Sequence, residues 1–336
     1  MKKTFLTLFA ALFNLSACSE KQASKTDCFL GAVENCFDIA VKYDDEQNYE
    51  QAKIYYEKAA NQGHSMAQNN LGVLYKEGLG VQQDYAQAKQ WFEKSVQQEN
   101  ADAQNNLAHL YFEGLGVEQD YIEAKQLLEK SAKQGLAEAQ NSLGVLYYSG
   151  LGINQDFIQA KQWFEKAAQQ ECAVAQYHLG ILYDEGLGVE QDYAQAKQWY
   201  EKAANQEHDK AQNRLGLLYL NGLGVEQDYI QAKLWFEKAA QQGFAEAQNN
   251  LGSLYHMGLG VEQDYAKAKL WAEKSAEQGY AVAQYNLGYM YEHGQGVTQD
   301  LDKAKEYYQQ ACLNDDQTAC ESLERVNKEI EKSKYK

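Results

Sequence analysis

Six histidines (His64, His109, His178, His208, His256 and His293) and six cysteines (Cys18, Cys28, Cys36, Cys172, Cys312 and Cys320) are the residues of this chain best suited to metal binding or nucleophilic chemistry. Their spacing supports neither. No two histidines fall at the His-x-x-x-His interval that would set two imidazoles on one helical face, and no Gly-x-Ser-x-Gly elbow is present. The single Ser-x-x-Lys, Ser333 to Lys336, lies in a polar, basic stretch with nothing to preorganise a nucleophile. Gly-x-Gly pairs recur, but without a strand pattern before them or a third glycine, so they do not read as phosphate loops. The 48 Asp and Glu residues read as helix caps and solvated faces, and no pair stands out as a poised acid and base. The expectation is a protein without catalytic residues, metal or cofactor.

What must position the remaining residues follows from composition and periodicity. A net charge of −17 over 336 residues removes the basic surface that phosphate neutralisation requires, so no nucleic-acid partner is expected. No apolar run reaches the ~18 to 20 residues of a spanning helix, which leaves an anchor as the only membrane contact. Lys2 and Lys3, the apolar run Phe5 to Phe13, and Leu15-Ser16-Ala17-Cys18 form a targeting segment. It resembles the lipobox of bacterial lipoproteins. That resemblance implies removal of residues 1–17, lipidation of Cys18 as the mature N-terminus, and stable anchoring by several acyl chains. Ser19 in place of Asp after the cysteine implies the outer membrane, facing the periplasm. Loss of Lys2 and Lys3 takes the charge from −17 to −19, and residues 18–27 read as a lipidated polar tether.

The rest of the chain is periodic. Asp84, Asp120, Asp156, Asp192, Asp228, Asp264 and Asp300 are spaced by 36 residues, as are the leucines from Leu71 to Leu323. Residues 65–316 therefore hold seven copies of 36, a period that signals a solenoid. Within a copy, Ala67, Leu71, Leu74 and Tyr75 share one helical face, and Gly78-Leu79-Gly80-Val81 ends that helix with a left-handed cap. Asp84 then opens a second helix as N-cap, with Gln87 or Glu123 in the capping-box position, and Tyr85, Ala88, Phe92 and Val96 form its stripe. Gly63, Gly135, Gly243 and Gly279 end second helices.

The pattern Ala-Gln-x-x-Leu-Gly-x-x-Tyr-x-x-Gly-x-Gly-Val-x-x-Asp-x-x-x-Ala-x-x-x-Phe-x-Lys-Ala-Ala resembles the Sel1-like repeat, a relative of the tetratricopeptide repeat. The resemblance implies an all-α, right-handed solenoid of antiparallel helix hairpins. Residues 28–64 then form an N-terminal cap and a repeat with a loop four residues shorter, and residues 317–336 a final capping helix that shields the apolar flank. Allowing for that deletion, Cys28 aligns with Cys312, and Cys36 with Gln68 and Cys320. Both pairs join the end of a second helix to the next first helix. In an oxidising envelope they are expected as two disulfides, each contributing about 2 to 3 kcal/mol at an end where a solenoid frays. Two cysteines per end without a nearby histidine do not make a zinc set. Cys172 is left unpaired.

Residues that the repeat does not fix carry any specificity. With Leu71 at the centre of the buried face, positions 66, 69, 73 and 76 fall opposite, and first helices line the inner surface in related architectures. Position 69 reads Asn69, Asn105, Asn141, Tyr177, Asn213, Asn249 and Tyr285 through the copies, and position 73 ends at Tyr289. Such a row could hydrogen-bond the backbone of an extended peptide, with His178 and Arg214 as basic groups at its flank. Duplication of a repeat consensus also accounts for the Asn row, though not for Tyr177, Tyr285 and Tyr289. The expected function is therefore a monomeric, non-catalytic scaffold whose concave groove binds a protein or peptide. The resemblance implies an adaptor, a regulator or a host-interaction factor. It also offers an enzymatic alternative, because cysteine-rich Sel1-repeat proteins of envelopes are described as β-lactam-binding or β-lactam-hydrolysing. This chain shares their eight-residue cysteine spacing only at its ends. A structural spacer is the third reading. Mass spectrometry of the unreduced protein should link Cys28 to Cys36 and Cys312 to Cys320; free thiols at all four would place the chain in a reducing compartment and remove the envelope reading.

Overall fold

Each 36-residue copy folds as two helices because its polar punctuation leaves no other place for the chain to turn. The computed structural model describes Cys28 and residues 33–334, so Cys18 and the targeting segment lie outside the described residues. Among the described residues there are 17 α-helices and no strand, each hairpin made of a first and a second helix such as Ser65–Glu77 and Tyr85–Val96. The fold is an α-solenoid. It divides into two units after Leu136. The first holds the six helices from Val33–Asp45 to Tyr121–Lys133, and the second the eleven from Ala137–Ser149 to Gln317–Lys334.

The loop is held by a fixed set of bonds. Gly78 takes a left-handed φ of 72° and donates its N–H to the Leu74 carbonyl. Gln83 Nε2 donates to the Lys76 carbonyl at 2.8 Å, and Asp84 N–H to the Tyr75 carbonyl at 2.9 Å. Asp84 Oδ1 in turn accepts the N–H groups of Ala86 and Gln87. The expected capping box is thus only half formed. Its reciprocal bond needs the N-cap N–H, which the Tyr75 carbonyl has already taken. Gly80 serves packing between repeats: a Cβ there would lie 2.5 Å from the Tyr49 carbonyl carbon, so only glycine lets the loop rest on the preceding second helix.

The core is a ring laid into a notch. Gly72 lies buried in the first helix, and a Cβ on it would meet the Phe92 ring at 2.6 Å. In the second unit, Phe164, Tyr200, Phe236 and Tyr308 enter the notches of Gly144, Gly180, Gly216 and Gly288 in the same way. These rings are fully buried, and each contributes about 2 to 3 kcal/mol by leaving water. Ala67, Leu71 and Leu74, with their counterparts in later copies, complete the core.

Glutamines stitch neighbouring hairpins together. Gln68 Nε2 donates to the Ala60 carbonyl eight residues back, and Gln68 Oε1 accepts from Gln98 Nε2 at 2.8 Å. In the second unit, Gln176, Gln212 and Gln248 accept from Gln206, Gln242 and Gln278, and Gln284 from Asn314. The disulfides Cys28–Cys36 and Cys312–Cys320 span the same eight-residue interval. At both ends of the array a covalent bond therefore stands where interior repeats use a buried amide. Cys172 is free, as expected, and occupies the N-cap position of Ala173–Glu185 without a capping bond.

Second helices do not all end on glycine. Glu99, Glu171, Glu207 and Asp315 adopt φ of 60° to 67° at the place that Gly63, Gly135, Gly243 and Gly279 occupy elsewhere. A side chain in this conformation costs roughly 1 to 2 kcal/mol, partly offset by the greater chain entropy of glycine. Glu207→Gly is therefore expected to raise the unfolding free energy by about 0.5 to 1 kcal/mol, and Gly243→Glu to lower it similarly. Urea unfolding followed by circular dichroism tests both.

Candidate functional site

The asparagine row is a bond between repeats before it is a surface. In the first unit Asn69 is buried; its Oδ1 accepts from Asn106 Nδ2 at 3.0 Å, and its Nδ2 donates to Asn70 Oδ1. Asn105, in the same unit, is half-buried. In the second unit Asn213 and Asn249 are buried and accept from Asn250 and Asn286 at 3.0 and 2.8 Å, and half-buried Asn141 accepts from His178 Nδ1 at 3.0 Å. Asn213 Nδ2 also donates to Glu246 Oε1. The expectation that position 69 faces away from the packed side is corrected here. The next first helix covers these amides, and burial makes each seek a partner.

Tyrosines interrupt this row where the core changes. Tyr177 packs on the Tyr200 ring at 5.9 Å and stacks on His208 at 4.8 Å, while Tyr285 lies 5.5 Å from Tyr308. Tyr200 and Tyr308 stand where Phe92, Phe164 and Phe236 stand in other copies, and their hydroxyls donate to Asp184 at 2.9 Å and to Glu292 at 2.7 Å. Arg214 lies 4.0 Å from Asp184, and Arg325 donates to Glu292 at 2.9 Å. Arg214 and His178 thus serve a phenol, carboxylate and histidine cluster within the second unit rather than a free basic rim. Burial pushes the Tyr177 and Tyr200 phenols up, with Asp184 adding to the shift of Tyr200. Among the described residues no buried side-chain nitrogen or oxygen lacks a partner, and no group of three His, Cys, Asp or Glu is placed to hold a metal.

What stays open lies one helical turn away. Val145, Ile181 and Leu217 are half-exposed on successive first helices of the second unit, and Ser253 and Tyr289 continue the series. Tyr289 is exposed and stacks on His293 at 4.1 Å. Tyr148, Leu220 and His256 stand three residues further along their helices, each partly exposed. Apart from Ser253, these groups are apolar or aromatic and present contact area.

One titrating group does report on the cluster. Burial, followed by repulsion from His208 and Lys210, lowers the His178 pKa to about 4. Its ring stacks on Phe164 at 4.7 Å. His208 is also lowered by burial, opposed by Asp209, and its Nδ1 accepts the Ala211 N–H as a helix cap.

The family model described as Sel1 repeat matches residues 40–64, 65–100, 101–136, 137–172, 173–208, 209–244, 245–280 and 281–316. The chain is similar to a crystal structure of a protective antigen present in uropathogenic Escherichia coli strains, with 35% identity and a TM-score of 0.73. That match covers 90% of this chain and 66% of the other, so the chain spans slightly less than two thirds of that relative. A Sel1 repeat protein from Oxalobacter formigenes matches at 34% identity and a TM-score of 0.66, over 73% of this chain and 96% of the other. Human IFIT1, at 14% identity and a TM-score of 0.52 over 84% of this chain and 69% of the other, shares the fold alone. No curated protein matches.

Below pH 6.5 the unfolded chain protonates His178 while the folded chain resists until about 4. Stability therefore falls as pH drops through this window, by up to about 1.4 kcal/mol per pH unit for this site. His178→Asn keeps a donor for Asn141, as Asn106 does for Asn69, and removes the titrating group. Its unfolding free energy should vary less with pH between 6.5 and 4 than that of the parent; equal slopes would exclude His178 as the source.

Proposed function

The chain belongs to the Sel1 repeat family, and from that premise we propose that it is a lipid-anchored envelope scaffold whose first helices bind a protein or an extended peptide. The observation that carries this reading is the half-exposed apolar row Val145, Ile181 and Leu217, continued by the exposed Tyr289. Val145, Ile181 and Leu217 pack one side against the core and leave the other partly open on successive repeats, and an apolar row of this kind is what a docked partner covers. Helical repeats of this kind recognise partners through such extended surfaces.

The mechanism is recognition without bond making. Tyr and aliphatic groups supply contact area at small entropic cost, while the buried amides beneath hold the first helices in register. The excess of acid, with a net charge of −17, favours a partner segment with basic residues beside its apolar ones. The envelope part of the reading is supported by the lipobox-like Leu15-Ser16-Ala17-Cys18 and by two disulfides that suit an oxidising compartment. Adaptor, regulator and host-interaction factor all fall within it, facing the periplasm from the outer membrane.

Affinity capture from native envelopes with the chain from Ser19 onward tests the proposal. The triple variant Val145→Ser, Ile181→Ser and Leu217→Ser should recover at least roughly tenfold less of the partner, as expected for loss of about 1.4 kcal/mol of binding. Its helicity should be that of the parent. Equal recovery by a folded variant removes the stripe as the binding surface.

A further inference from the structure

Among the full repeats of the second unit, one lacks the ring that its sisters insert. The position held by Phe92, Leu128, Phe164, Tyr200, Phe236 and Tyr308 is Ala272 in the repeat spanning 245–280. A Cβ on Gly216 would meet the Phe236 ring at 2.6 Å, whereas one on Gly252 meets no ring; its nearest neighbour is the Ala268 carbonyl oxygen at 3.1 Å. The missing side chain leaves a cavity of about 200 Å³ over Gly252.

A second truncation opens that cavity to solvent. Where other first helices of the second unit carry Val145, Ile181 and Leu217, this one carries Ser253, whose hydroxyl turns back to donate to the Asn249 carbonyl at 3.0 Å. Met290 and Ala268 line the wall, and Tyr289 and His256 border the space. The bordering amides are satisfied by each other, Asn286 donating to Asn249 at 2.8 Å. The His256 Nε2 is engaged by Gln295 at 2.6 Å. The site therefore presents an apolar wall, open to solvent on one side, beside polar groups that are already paired.

We propose that this cavity is a recognition site for one aryl group, presented as a Phe or Tyr side chain of an extended peptide; the peptide source rests on the function proposed above. The template is internal to the molecule. The other full repeats of the second unit close the same notch with their own Phe or Tyr, so the space has the lining of an aryl slot whose resident ring is absent. Tyr289, exposed beside it and stacked on His293, adds aromatic surface at the mouth, and exposed Met257 supplies a polarizable apolar lip.

The test is ligand-observed fluorine NMR with the full chain and N-acetyl-4-fluoro-L-phenylalanine amide as probe. Saturable broadening of the probe is expected, reversed by N-acetyl-L-phenylalanine amide and not by N-acetyl-L-alanine amide. Ala272→Phe should fill the slot and weaken probe binding at least tenfold. Ala272→Leu, which copies the native Leu128, gives a second reading should the phenylalanine variant fail to fold, and should also weaken binding. Absence of saturable broadening, equal displacement by the alanine amide, or unchanged affinity in folded variants overturns the site. Toluene should compete with the probe; toluene binding without any binding of the amides would overturn the peptide source. The probe needs no partner, so its failure leaves the stripe reading standing, and failure of envelope capture leaves this site standing.

Discussion

The tightest contact in the core is the ring of a second helix pressed against a glycine of the first helix, which recurs in five hairpins. At Gly72, Gly144, Gly180, Gly216 and Gly288 a Cβ would come within 2.4 to 2.7 Å of that ring. Such a contact has no room for even one methyl group, and added volume in a packed core typically costs about 1 to 3 kcal/mol. The notch therefore fixes how closely the helices of a hairpin approach. The loop and glutamine bonds are independent of it, since the repeats with Leu128 and Ala272 keep them.

The same notch explains which polar residues travel together. Tyr56, Tyr200 and Tyr308 put a hydroxyl where other repeats put only carbon, and a buried hydroxyl without a partner costs about 1 to 3 kcal/mol. Each donates to a carboxylate, namely Asp44, Asp184 and Glu292. Repeats with Phe92, Leu128, Phe164, Phe236 or Ala272 carry Lys76, Phe112, Tyr148, Leu220 or His256 at that place instead. Hydrogen-bond satisfaction, more than recent duplication, sets this correlation. It also accounts for Arg214 and Arg325, which bring positive charge to two of the three carboxylates.

Much of the fold is legible in the sequence because a strict period repeats every local signal seven times. Asp84 and its equivalents, the Gly-x-Gly loop and the Leu-Gly pair each have one structural solution, and the helices fall accordingly. The cysteine pairs are legible for the same reason, since the spacing of eight matches the Gln68 to Ala60 bond. The binding surface is less so. Helical angle alone places Asn69, Asn213 and Asn249 away from the core of their own hairpin, but burial is also decided by the next hairpin, whose residues close over them. Tyr177 and Tyr285 look like departures aimed at a ligand until the rings of Tyr200 and Tyr308 are found beneath them.

A periodic scaffold therefore places function where its rule is broken without an internal compensation. Tyr200 and Tyr308 break the Phe rule, and Asp184 and Glu292 restore the balance within the molecule. Glu207 breaks the glycine rule at the end of its helix, a cost borne in the backbone and confined to one turn. Ala272 and Ser253 differ from both. They remove volume from one place, and the larger Tyr289, standing where other first helices of the second unit carry Val145, Ile181 or Leu217, does not close it: the residues around Gly252 leave about 200 Å³ open. Interiors pack to near-crystalline density, and the open space forfeits the ring contacts that Gly144, Gly180, Gly216 and Gly288 make in the other full repeats of the second unit. An uncompensated loss beside an exposed aromatic residue is the mark by which, in an array built from near-identical parts, a site for another molecule is told from a scar of duplication.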